Sequence, residues 1–175
     1  KKLGIQFTLH KRRRTALLQQ RTHRAATRSR RIRFLRGSAP PRTRARLAAA
    51  SVVPVATYGG SYWGYATHSI KHLRRLTMQA AVKNSAYRST SIMMLLQAYG
   101  LRDPAILAHQ QPIVAWASVV WNRRQPLEVL DSALQWAANR LGTSQAWNKC
   151  CGPTHAFILT CRRLDWQPVT ACTIR

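Results

Sequence analysis

Acidic residues are absent from the first 102 positions of this 175-residue chain, although lysine and arginine recur throughout the same stretch. Over the whole chain 29 Lys and Arg accompany only 4 Asp and Glu, which gives a formal net charge of +25 at pH 7. Ion pairs can neutralise few of these cations, so the rest must stay in solvent or meet an external anion. A charge of this sign and size favours nucleic acid as the partner.

The segment from 15 to 36 contains neither glycine nor proline and predicts a helix. Leu18, Ala25 and Ile32 recur on one face of that helix. Beside this apolar face runs a row of arginines with the same spacing: Arg21, Arg24, Arg28 and Arg31. Gly37 and the two prolines that follow it predict the end of the helix, because proline lacks an amide donor and restricts the residue before it.

The first residues predict a short strand, since Leu3, Ile5, Phe7 and Leu9 alternate with other residues. A single strand cannot form a sheet, so we expect 1–10 to be the end of a sheet whose other strands precede this chain. The chain also begins without methionine. We therefore expect an internal or C-terminal piece of a longer protein.

The rest of the chain predicts helices joined by short loops, so the expected fold class is mainly α with one short N-terminal strand. The expected helices cover 43–58 with a kink at Pro54, a segment capped by Ser69, 92–99, 105–121 with a break at Pro112, 127–141 and 153–164. Three regions are expected: the end of a sheet at 1–10, a basic helical region over 11–125 and a helical extension over 126–175.

Catalytic carboxylates are scarce. Only Glu128 and Asp131, three residues apart on one helix, can lie near each other, whereas two-metal phosphoryl chemistry needs several converging carboxylates. A solvated helix face explains this pair better. We predict no catalytic residue and no metal or other cofactor held by this chain.

Two groups of metal-binding residue types have a simpler explanation than a metal. His68 and His72 lie four apart on a helix, but the glutamate of the metalloprotease motif is missing, which favours an exposed or phosphate-facing pair. Zinc-knuckle ligand types recur at Cys150, Cys151, His155 and Cys161 with spacings unlike a knuckle. Buried thiols in a reducing compartment are the preferred interpretation.

Tryptophan is concentrated in the C-terminal part of the chain. Such rings can stack on bases, yet tryptophan at helical spacing is more often part of a core. We expect a core role for Trp116, Trp121, Trp136, Trp147 and Trp166. No apolar run approaches the length of a membrane span, and no membrane partner is expected.

Several short motifs occur along the chain, and their order and spacing can be compared with those of known families. They are Lys2-Leu3-Gly4-Ile5-Gln6-Phe7, then Val52-Val53-Pro54-Val55-Ala56-Thr57-Tyr58-Gly59 with Trp63 close behind, then Leu73-Arg74-Arg75-Leu76, Gly100-Leu101-Arg102-Asp103-Pro104-Ala105, Trp116-Ala117, Val120-Trp121, Gly152-Pro153 and Leu164-Asp165-Trp166. This order resembles the region after the palm of reverse transcriptases from non-long-terminal-repeat retrotransposons. In that family a Leu-Gly-Ile or Leu-Gly-Val strand closes the catalytic sheet. A helical thumb follows, whose Leu-Pro-x-x-x-Tyr-Gly helix lies along template and primer.

The resemblance implies that the chain is a thumb-like helical bundle from an RNA-directed DNA polymerase, with the upstream palm domain of the same parent as its neighbour. It implies an RNA–DNA duplex or RNA as partner, a nuclear location, and magnesium as the parent's cofactor. The family's two adjacent catalytic aspartates are absent from this sequence, so this chain should be inactive alone. We expect phosphate contacts from Arg21, Arg24, Arg28 and Arg31, and from a second patch of Lys71, Arg74 and Arg75.

Two alternatives stay open. The same arginines would serve a stand-alone basic module of a ribonucleoprotein, which an upstream start codon would support. A degenerate remnant without activity is the other, because GC-rich DNA encodes abundant arginine, alanine and proline. Gradual thermal unfolding with no cooperative transition would favour the remnant.

Overall fold

The structure is a computed structural model that describes residues 16–82, 90, 103–143 and 147–173. These residues form seven α-helices and one 3-10 turn and contain no β-strand, so the expected mainly α fold is confirmed. The helices are α1 (Ala16–Phe34), α2 (Pro41–Thr57), α3 (Gly60–Trp63), α4 (Thr67–Ala81), α5 (Pro104–Trp121), α6 (Leu127–Leu141) and α7 (Pro153–Arg163), with the 3-10 turn at Trp147–Lys149. The predicted strand at 3–9 and the predicted helix at 92–99 lie outside the described residues.

Two local predictions were wrong. Ser69 is inside α4, which already begins at Thr67, so it is not the residue before the helix. Pro112 does not break α5, which is continuous from Pro104 to Trp121. Ala108, Pro112 and Trp116 are four residues apart and all buried, so they form one packed face. Burial of that face outweighs the cost of about 3 kcal/mol that an internal proline imposes on a helix.

Tertiary contacts divide the chain into two compact units. The first, the three-helix unit, lies within Thr15–Tyr58 and Thr67–Leu107. The second, the aromatic-core unit, includes Gly59–Ala66 and the described residues from Ala108 onward. This division follows contacts within the fold, and the domain boundaries expected from the sequence stay a prediction.

The three-helix unit packs α1, α2 and α4 against one another around a core of small residues. Its buried cluster contains Ala25, Ala45, Ala48, Ala56, Ala80 and Ala81 beside a few larger aliphatic residues. Small side chains let the helix backbones approach closely, so side chains can reach the main chain of a neighbouring helix. The buried Ser29 hydroxyl does so, donating to the Leu76 carbonyl of α4 at 2.6 Å.

Two arginines donate hydrogen bonds to carbonyls at the C-terminal end of α4. Arg44, only 3% exposed, donates from Nη2 to the Ala81 carbonyl at 3.1 Å. Arg36 donates to the carbonyls of Gln79 at 3.2 Å and Val82 at 2.9 Å. The last carbonyls of a helix lack partners within the helix and carry the negative end of its dipole, so both arginines stabilise this end.

The aromatic-core unit is built around α7, whose central residues are buried on every side. All residues from His155 to Cys161 are buried, and Phe157 stacks on Trp116 with ring centroids 5.0 Å apart. The Trp116 indole N–H donates to the Ala171 carbonyl at 3.1 Å. Burial raises the pKa of the Cys161 thiol to about 11, so that thiol stays protonated at neutral pH.

A tight aromatic turn follows α3 in the same unit. Gly64 has a φ of +55°, and a side chain there would place its Cβ 2.2 Å from the Trp147 ring. Only glycine meets both demands. Arg163 joins this turn to the Trp147 ring. Its guanidinium lies 4.4 Å from the Trp147 ring centroid and donates to the Tyr65 carbonyl at 2.6 Å. Burial lowers the pKa of Arg163 to about 10, which still leaves it charged at neutral pH.

Candidate nucleic-acid interface

The four predicted arginines of α1 form a row beside α2. Arg24, Arg28 and Arg31 are exposed and Arg21 is half-buried. Because these residues recur three or four apart, their side chains leave the helix on one side. That side flanks the buried face defined by Ala25, Ser29 and Ile32, so the row lies at the edge of the contact between α1 and α2.

Hydrogen bonds to α2 and the residue after it anchor two members of this row. The Arg28 guanidinium donates to the Ser51 carbonyl at 3.1 Å. Arg21 donates to the Tyr58 carbonyl at 2.8 Å and stacks over the Tyr58 ring at 4.6 Å. The bond to Ser51 uses one of the five N–H donors of the Arg28 guanidinium. These bonds hold the guanidinium groups of Arg21 and Arg28 in place, and the exposed members of the row stay accessible to an external anion.

Tyr58 is a component of this surface that the sequence reasoning did not assign. The ring is exposed, as are Pro54 and Leu47 on the same side of α2. An exposed aromatic ring therefore borders the arginine row at Arg21. The signal available in the sequence was the position of Tyr58 before the paired glycines at 59 and 60, which indicates a helix end but not the contact with Arg21.

The second predicted patch is only partly directed toward solvent. Lys71 and Arg75 are exposed on the outer face of α4. Arg74 instead forms a two-pronged ion pair with Asp103, with Nε to Oδ1 at 2.9 Å and Nη2 to Oδ2. The hydrogen bond to Asp103 is the main cause of the raised pKa of Arg74. Asp103 also accepts from the Ala105 amide at 2.9 Å at the start of α5. Arg74 therefore also links α4 to the residue before α5.

Backbone carbonyls bind part of the excess cationic charge. Arg21, Arg28, Arg36 and Arg44 donate to main-chain carbonyls within the three-helix unit, whereas Arg74 donates to the Asp103 carboxylate. Burial, followed by repulsion from Arg33 and Arg44, lowers the pKa of Arg36. Carbonyl oxygens satisfy N–H donors but carry no net charge. These bonds therefore position the guanidinium groups and leave the excess positive charge of the unit in place.

The described residues contain no group of three or more His, Cys, Asp or Glu side chains arranged to hold a metal ion. Asp131 accepts a hydrogen bond from the Ala171 amide at 2.6 Å. Cys150 is buried and donates to the Trp63 carbonyl at 3.3 Å. His68 lies on the exposed surface, within 3.3 Å of the Ser69 hydroxyl.

Among the described helices, none combines the length and apolar character needed to cross a bilayer.

The tryptophans do not share one environment, so the expectation of a common core role was wrong. Trp116 is buried at 8% exposure, whereas Trp121 is 87% exposed at the end of α5. Trp136 and Trp166 are also exposed. A buried Trp116 and an exposed Trp121 on one helix show that position relative to the packed face decides the environment, and composition does not.

No family model, curated protein or solved structure matches this chain. The resemblance to reverse transcriptases therefore stays a hypothesis that rests on the motifs of the chain itself.

Proposed function

We propose that the three-helix unit binds the phosphate backbone of nucleic acid through the arginine row of α1, as part of a retroelement RNA-directed DNA polymerase that holds a template–primer duplex. The observation that carries this proposal is the row itself, in which Arg28 is anchored to α2 and Arg21 to Tyr58, the residue after that helix. The proposal assigns binding, and no catalytic step, to this chain.

The dimensions of the row suit a strand of phosphates. Arg31 follows Arg21 by ten positions, which corresponds to about 15 Å along a helix. About four phosphates of one duplex strand occupy that length. Arginine also suits the task, because its planar fork donates to two phosphate oxygens at once. The absence of any acid before Asp103 means that no carboxylate of this stretch competes for the row.

Binding of a fluorescent RNA–DNA duplex, measured by anisotropy over a series of salt concentrations, tests the proposal. The decisive variant is Arg24→Gln combined with Arg31→Gln, since both side chains are exposed. Its matched control is Arg30→Gln with Arg33→Gln, which removes two exposed charges from other faces of the same helix. We expect the decisive pair to reduce the slope of log K against log salt by about 2, because each phosphate contact contributes about 0.9.

Equal slopes for the two double variants would show binding by net charge alone and would overturn an organised interface. A binding constant that does not change with salt would overturn phosphate contact altogether. The reading frame upstream of Lys1 tests the parent separately. Two adjacent aspartate codons there support a polymerase, whereas a nearby start codon supports a stand-alone ribonucleoprotein module.

A further inference from the structure

A groove lies between the end of α5 and the start of α6 in the aromatic-core unit. Its volume is about 740 Å³, within the range of small-ligand sites. Trp121, Arg123, Arg124, Leu127 and Cys172 contribute to its walls. We refer to it as the Trp121 groove. It contains none of the residues assigned to duplex binding.

Trp121 is the most exposed of the large apolar side chains described, at 87%. A solvent-facing indole forgoes the burial that a large aromatic ring normally obtains. Here the ring stands beside a concave surface with apolar atoms from Leu127. The groove thus offers a flat aromatic face next to a space large enough for a planar ligand.

The helix end places two arginines, Arg123 and Arg124, two and three residues after this ring. The Arg124 amide donates to the Val119 carbonyl at 3.2 Å, and the Arg123 amide to the Val120 carbonyl at 3.1 Å, which is the Schellman pattern of a helix C-terminus. Arg123 occupies its left-handed position with a φ of 46°. Glycine is the usual residue at this position, because it adopts a positive φ without strain. In this chain the position carries an arginine side chain instead.

The charge of the groove selects an anion. Both arginine side chains are exposed, and none of the described residues that line the groove is acidic. Glu128, the nearest acid along the chain, is exposed on the first turn of α6 and is not among those residues. An aromatic face beside two cations matches the two chemical components of a nucleotide, a planar base and a phosphate.

We propose that the Trp121 groove binds an unpaired nucleotide of single-stranded nucleic acid, with its base stacked on Trp121 and its phosphates bound by Arg123 and Arg124. This site goes beyond the proposed duplex interface, because it belongs to the other unit and uses a base face that a duplex keeps stacked. Stacking tolerates any base, so the site reads the single-stranded state and not a sequence.

Anisotropy with a labelled oligothymidylate of about eight nucleotides tests the site. We expect Trp121→Ala to weaken binding by about 5- to 150-fold, the range for loss of one base–aromatic stack. Trp121→Phe should retain most of the affinity, because it keeps an aromatic face. The matched control is Trp166→Ala, which removes another exposed tryptophan that does not line the groove.

An abasic oligonucleotide of the same length separates stacking from charge. Wild type and Trp121→Ala should bind it equally, since only the phosphates remain. Arg123→Gln with Arg124→Gln should weaken binding of both oligonucleotides. Duplex affinity should be unchanged in Trp121→Ala, so failure of this site and failure of the α1 interface give different results.

Cys172 supplies an independent readout, because this exposed thiol lines the groove. Oligothymidylate should slow alkylation of Cys172, measured by mass spectrometry, and leave Cys151 unaffected. The protection should disappear in Trp121→Ala.

Three results would overturn the proposal. The first is unchanged oligothymidylate affinity in Trp121→Ala, and the second is an equal loss of affinity for the abasic strand. The third is wild-type self-association in sedimentation that Trp121→Ala abolishes without any change in oligonucleotide affinity. That last result would identify the groove as a contact between copies of this chain.

Discussion

The buried residues of the two units differ in size. Six of the eleven in the cluster of the three-helix unit are alanine, whereas the cluster of the aromatic-core unit contains Trp116, Phe157 and several leucines. Larger side chains bury more apolar area per residue, and burial contributes about 25 cal/mol per Å². The three-helix unit adds polar bonds from Ser29, Arg36 and Arg44 to its core. Both units contain polar side chains bonded to main-chain carbonyls, but the three-helix unit gains less from apolar burial per core residue than the aromatic-core unit does.

The largest expected effect breaks the aromatic-core unit. Phe157→Ala removes a ring that is 1% exposed and stacked on Trp116, so it should lower the free energy of unfolding by about 3–5 kcal/mol. Denaturant unfolding measures the loss, and hydrogen exchange locates it. Peptides from α6 and α7 should lose protection first. Val129→Ala, an exposed apolar change on α6, is the control. Equal loss of protection in α1 and α2 would contradict separate stabilisation of the units.

A smaller loss is expected from Gly64→Ala. The new Cβ would lie 2.2 Å from the Trp147 ring at a positive φ, so we expect about 1–3 kcal/mol of destabilisation in thermal unfolding. Gly37→Ala in the three-helix unit is the matched control, because nothing lies within 4 Å of its added Cβ. If both variants unfold at the same temperature, the close approach at Gly64 does not constrain the turn.

Ser29→Ala tests polar anchoring in the three-helix unit. Loss of the bond to the Leu76 carbonyl should cost about 1 kcal/mol, measured by denaturant unfolding. Ser132→Ala provides the comparison, since that exposed hydroxyl bonds only within its own helix. Its effect should stay within about 0.5 kcal/mol. Indistinguishable variants would show that the buried hydroxyl adds nothing to the alanine-rich core.

The smallest effect is a pH dependence confined to the aromatic-core unit. Burial, reinforced by the charge of Arg140, lowers the pKa of His155, whose ring also meets Trp136 edge-on. Below the ordinary value of about 6.5 the unfolded chain binds more protons than the folded one, so acid favours unfolding. Stability should be full above that value and fall as the pH drops toward the pKa of the folded state.

His155→Leu provides the control for this pH dependence. It should remove the part of the slope that wild type shows just below pH 6.5, measured by thermal unfolding at a series of pH values. An unchanged slope would place the responsible proton on another group.

The candidate surface was predictable as a row but not as an interface. Helical spacing alone placed Arg21, Arg24, Arg28 and Arg31 on one side of α1. The partners of Arg21 and Arg28 lie 37 and 23 residues away, and Asp103 lies 29 residues from Arg74. Local periodicity carries no information about such distant partners, which is why Arg74 was expected to contact phosphate and its ion pair with Asp103 was not predicted.

The amino-acid sequence by itself determined the excess of positive charge, the long described helices and most of their ends, because these depend on composition and on residues within a few positions. Tertiary structure decided which arginines bind carbonyl oxygens and which stay exposed. It also buried Trp116 and exposed Trp121, which are five residues apart on α5. Those outcomes depend on which helix faces pack together, and distant parts of the chain set that packing.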